Sequence, residues 1–140
     1  MALMPKRVKY RKSQRGKIRG IALRGSSLRF GEYGLRALEN GLIKSNQLEA
    51  ARVVVVRKLH GAGRLWVNIF PYKPVTKKPA ETRMGKGKGD LDHWVGVAKR
   101  GAVLVEVGGI PEMLAKQILR LVAFKLPIRT QFISRMGASH

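Results

Sequence analysis

The sequence predicts an α+β fold: a single domain with a mixed or antiparallel sheet and two main helices, extended by a basic N-terminal arm and by a long basic loop. Three observations carry that expectation. Residues 45–60 and 111–126 place apolar side chains at helical spacing. Short alternating or all-apolar runs bounded by glycine recur between and around them, as strands do. Charge is lopsided, with 29 Lys and Arg against 8 Asp and Glu and a formal net charge of +21. A chain of 140 residues is long enough for one domain with a modest core. The expected division is a basic arm over 1–25 and a domain over 26–140 that includes a loop at 71–93.

The arm carries Lys6, Arg7, Lys9, Arg11, Lys12, Arg15, Lys17, Arg19 and Arg24, and the first acidic residue is Glu32. It has no apolar periodicity, so it should be extended or disordered until it meets a polyanion. Leu28 to Leu35 alternates and reads as a first strand, offering Leu28, Phe30 and Tyr33 to a core. Gly41 should end a short helical or turn-like piece. Ser45 is a good N-cap, and Leu48, Ala51, Val55 and Leu59 then form a helical stripe ended by Gly61 and Gly63. Val53 to Val56 favours strand by propensity, but length and capping decide for helix. Leu65 to Phe70 is a strand with Leu65, Val67 and Ile69 on one face and Trp66, Asn68 and Phe70 on the other.

Pro71 to His93 reads as a long connection, stiffened by Pro71, Pro74 and Pro79. It ends in Thr82-Arg83-Met84-Gly85-Lys86-Gly87-Lys88-Gly89-Asp90. Loops of this length in small domains are usually functional or disordered. The glycines let backbone approach a surface closely and open φ > 0, while Lys86, Lys88 and Arg83 supply charge. Trp94–Ala98 and Val103–Val107 read as an antiparallel hairpin turning at Lys99-Arg100-Gly101. Pro111 should open a second helix with Leu114, Ile118, Leu121 and Val122 inward, stopping before Pro127. Ile128 to Ile133 is a last strand with Ile128, Thr130 and Phe132 on one face.

Such an excess of positive charge expects counter-charge, and nucleic acid fits better than a membrane. No lipidation motif, secretory signal or membrane-spanning run is visible. The chain has no cysteine, so thiolate chemistry and disulfides are excluded. Asp90, Asp92 and His93 are the best candidates for a metal-dependent nuclease, but no second cluster completes a coordination shell. The Gly-Lys tract lacks the Ser or Thr that follows a phosphate-loop lysine. His60 and His140 carry no catalytic pattern. The expectation is a binding protein with no enzyme activity, cofactor or metal. A DNA-binding architectural module is the alternative, separable by RNA-versus-DNA competition.

Pro5-Lys6-Arg7-Val8-Lys9-Tyr10-Arg11-Lys12 and Arg83-Met84-Gly85-Lys86-Gly87-Lys88-Gly89, with Trp94 close behind, resemble the bacterial-type large-subunit ribosomal protein L-sixteen family. Gln47-Leu48-Glu49-Ala50-Ala51-Arg52, Trp66 to Pro71, Pro79 and Lys125-Leu126-Pro127-Ile128 match as well, so the resemblance spans nearly the whole chain. It implies a hammerhead-like α/β domain in a cytoplasmic ribosome, with an organellar ribosome as the other option. Implied partners are large-subunit rRNA, A-site tRNA, P-site tRNA as a further candidate, and other large-subunit proteins. It implies rRNA contacts from the arm cations between Lys6 and Arg24, and rRNA or tRNA contacts from Arg83, Met84, Gly85, Lys86, Gly87, Lys88 and Gly89. Members join late in subunit assembly. Arg83 occupies the position that is hydroxylated in some bacteria.

Overall fold

A computed structural model describes residues 4–7, 9–10, 12–13, 16–77 and 87–135. In chain order its elements are β1 (Tyr33–Ala37), β2 (Gly41–Lys44), α1 (Ser45–Leu59), β3 (Arg64–Val67), β4 (Lys73–Lys77), β5 (Asp90–Ala98), β6 (Val103–Gly108), α2 (Glu112–Lys125) and β7 (Thr130–Ser134). They form two antiparallel sheets, one in the order β3-β6-β1-β7 and one in the order β2-β5-β4. The helices pack on each other and on the larger sheet, in an α+β architecture.

The core follows from the apolar stripes. Leu48, Ala51, Val55 and Leu59 are the buried apolar residues of α1, as their spacing predicts. Of the valine run only Val55 is fully buried, and Val56 is exposed. The run therefore has the helical rather than the strand period, and burial of one face outweighs β-branched propensity differences of roughly half a kcal/mol per residue. Ala115, Ile118, Leu119 and Val122 of α2 complete the interior with Leu35, Leu104, Val105 and Val107. Leu114 and Leu121 of the expected stripe are half-buried. All six residues of β6 are buried.

Several expectations are corrected. The first strand begins at Tyr33, and Phe30 is exposed. The amides of Arg29, Phe30 and Gly31 bond a side-chain carboxylate instead of a strand partner. Gly41 opens β2 rather than ending a turn. Its missing side chain serves packing, since a Cβ there would lie 2.4 Å from Ile128 Cγ2. Ser45 is the first helical residue rather than the N-cap, because β2 runs straight into α1 and Lys44 takes the cap position.

The 71–93 connection is not structureless: it contains β4 and the start of β5. Pro74 misleads because it sits on an edge strand, where a missing N–H costs no ladder bond. β5 and β6 are not a hairpin. Their connector bonds outward, with Gly101 N–H to Ala37 O and Ala37 N–H to Ala102 O both at 2.8 Å, and this sends the two strands into different sheets. β3 ends at Val67 rather than Phe70, although Asn68 N–H still reaches Leu104 O at 2.9 Å. β7 starts at Thr130; Ile128 is buried ahead of it, and within it Ile133 is buried while Thr130 and Phe132 are half-buried.

Candidate nucleic-acid interface

Over its described residues the arm holds no helix and no strand beyond the single bridge at Ile21. Lys6, Arg7, Lys9, Lys12, Lys17, Arg19 and Arg24 are all exposed. Among the described residues none of these cations pairs with a carboxylate; the ion pairs present are elsewhere, such as Arg52 with Glu49 and Lys116 with Glu112. Lys9 instead lies over the Tyr10 ring, 5.7 Å from its centroid. Arg11 and Arg15 fall outside the described residues.

The root of the arm is tied to the body. Ala22 N–H donates to Arg100 O at 2.8 Å, and Val103 N–H donates to Gly25 O at 2.7 Å. Beyond that tether the chain turns over Glu106, the one fully buried carboxylate among the described residues. Its Oε1 accepts the backbone N–H groups of Arg29 at 2.9 Å, Phe30 at 3.0 Å and Gly31 at 3.1 Å. Its Oε2 accepts Asn68 Nδ2. Burial pushes this carboxyl up, but the bonds from Asn68, Gly31, Phe30 and Arg29 outweigh it and hold the group below its ordinary value. Gly31 is required by proximity, because a Cβ there would stand 2.6 Å from Val107 O. Phe30 stacks on Trp66 with ring centroids 6.0 Å apart.

The Gly-Lys loop is described from Gly87 onward; Arg83, Met84, Gly85 and Lys86 lie outside the described residues. Gly87 has φ +88°, a conformation that favours glycine. Lys88 meets the arm: its ammonium donates to Ser13 O, and Lys12 Nζ donates to Lys88 O at 3.3 Å. Arm and loop, some 75 residues apart in sequence, thus form one basic surface. Lys9, Lys12 and Lys17 also share a groove with Tyr72, Lys73 and Lys99 of the body, whereas Lys6, Arg7 and Arg19 do not line it.

The Asp92 and His93 pair is a local contact, with Nδ1 and Oδ2 2.6 Å apart. The bond to His93 holds Asp92 below its ordinary value against the opposing effect of burial, and the charges of His93, Lys77 and Lys44 add to the lowering. Among the described residues no group of three His, Cys, Asp or Glu side chains is arranged to hold a metal ion.

Sequence reasoning missed Glu106 as the buried carboxylate beneath this surface, and Asn68, Tyr72 and Lys99 as parts of it. A signal existed for the first: Glu106 interrupts an otherwise apolar run, Val103 to Val107, and a charge in such a strand demands donors. Lys99 was visible only as a turn residue. Tyr72 sits in the stretch whose strand was hidden by proline.

Arm, body and loop also fall within a single family match. A family model described as Ribosomal protein L16p/L10e covers residues 5–133, from the arm into β7, and the chain belongs to that family.

Proposed function

We propose that the arm and the Gly-Lys loop act as one phosphate-binding face that holds large-subunit rRNA, and that the loop from Arg83 to Gly89 also contacts tRNA in the A site. Family membership makes the chain a structural protein of the large ribosomal subunit. The finer reading rests on one observation: Lys12 and Lys88 are brought together, each donating to a backbone carbonyl. Like charges gathered without a carboxylate between them repel, and a polyanion relieves that repulsion. In this reading P-site tRNA is a further neighbour, the chain enters the subunit late, Arg83 is a candidate for hydroxylation, and the role is non-catalytic.

Crosslinking the full chain in cell extract and sequencing the recovered nucleic acid tests it. Large-subunit rRNA should dominate, with crosslinks mapping to the arm and to residues 83–89. Recovery of DNA, or of RNA unrelated to the large subunit, would overturn the proposal. Among the described residues no helix is long and apolar enough to cross a membrane.

A further inference from the structure

Three cavities between the arm and the body share walls. The largest, about 550 Å³, is lined by Lys9, Tyr10 and Lys17 of the arm and by Tyr72, Val97 and Lys99 of the body. A second, about 450 Å³, meets Tyr72, Val97 and Lys99 again and adds Ile21 to Arg24. A third, about 320 Å³, continues from Arg24, Val97 and Ala102 to Phe30 and Asn68. The shared residues make them one groove that follows the arm.

Two kinds of side chain mark this groove, cations and rings left open to water. Tyr10 is 73% exposed and Tyr72 is 59% exposed. Among the described residues no carboxylate lines any of the three cavities. A duplex would offer such a surface phosphate, sugar and base edges but no base faces, because its bases are stacked on one another. An unpaired strand can lay bases on aromatic faces and phosphates against lysines at the same time. We infer that this groove binds an unpaired RNA strand, with bases stacked on Tyr72 and Tyr10 and phosphates held by Lys9, Lys17 and Lys99. The inference rests on the proposed rRNA-binding role and adds that the RNA is single-stranded at this place.

The test uses the full chain and an oligouridine carrying one 2-aminopurine, whose fluorescence drops on stacking, with binding to large-subunit rRNA measured in parallel. Tyr72→Ala should weaken oligonucleotide binding by about 5- to 150-fold and reduce the quench. The slope of log affinity against log salt should stay as in the parent, because every lysine that meets phosphate is still present. Tyr72→Phe should restore both readouts, since the ring and not the hydroxyl does the stacking. Lys99→Ala should instead flatten the slope by roughly 0.7. Tyr72 is exposed, so circular dichroism of the variants should match the parent. Binding of Tyr72→Ala within about twofold of the parent would overturn the inference, as it would if the groove takes a polypeptide segment. So would a duplex RNA that binds as tightly and responds equally to Tyr72→Ala. If rRNA binding persists while the tyrosine effect is missing, only the groove is wrong. If the parent fails to bind rRNA, the proposed interface is wrong as well.

Discussion

Glu106 fixes the turn at residues 29–31 that joins the basic arm to the domain. One carboxylate oxygen collects three consecutive amides, and Asn68 occupies the other. Glu106→Gln keeps the shape but loses the charge and faces Asn68 with a second amide. It should cost about 1–3 kcal/mol in urea unfolding at neutral pH. The pH dependence follows from a folded value below the unfolded one. The unfolded chain then binds the proton more readily, so the contribution is full above the unfolded value of about 4.3 and is lost as pH falls through the folded value. The gap in stability between the parent and Glu106→Gln should therefore narrow at pH 3; a gap of constant size would mean that charge plays no part. Gly31→Ala probes the same corner by volume. Its Cβ would press on the backbone oxygen of Val107, 2.6 Å away, and should cost about 1–3 kcal/mol with the arm root displaced.

Arm and loop are separable devices that should fail differently. Deleting residues 1–20 removes cations but leaves the tether, which begins at the bridge from Ile21 to Arg100. The truncated chain should fold, bind RNA more weakly and show a shallower salt slope, by roughly 0.7 to 0.9 for each phosphate it no longer neutralises. An unchanged slope would take the arm out of binding. In the loop, Lys86→Ala with Lys88→Ala should weaken A-site tRNA binding by reassembled subunits in a salt-dependent way. Gly87→Val should weaken it at every salt concentration, since a branched side chain cannot hold φ +88° and blocks close approach. Parent-like tRNA binding by both variants would make the loop a passive linker. At this scale the sequence was legible where periodicity is local. Leu48, Ala51, Val55 and Leu59 announced α1 and its buried face. Partnering was not legible. Trp94–Ala98 and Val103–Val107 look like hairpin arms, and only the bonds from their connector to Ala37 show that they part. Pro74 hid an edge strand, and Gly41 looked like a stop when it is a close approach to Ile128.

The whole molecule carries +21, which makes its stability a function of ionic strength. Raising salt from about 10 mM to 100 mM shortens the screening length from roughly 30 to 10 Å. The melting temperature of the free chain should rise, by roughly 2–4 °C for each kcal/mol of repulsion relieved. A fall would mean that ion pairs such as Arg52 with Glu49 outweigh the net charge. The charge imbalance was the most readable property of the chain, because composition alone states it. The partners of the carboxylate beneath the arm were the least readable, because its three backbone donors come from residues 75–77 positions away. That separation also imposes an order in time. The arm is made before the body, yet the amides of Arg29 to Gly31 have no acceptor until Glu106 has been added. Until then the turn at residues 29–31 has no buried partner, and it forms only when the strand that carries Glu106 closes into the sheet.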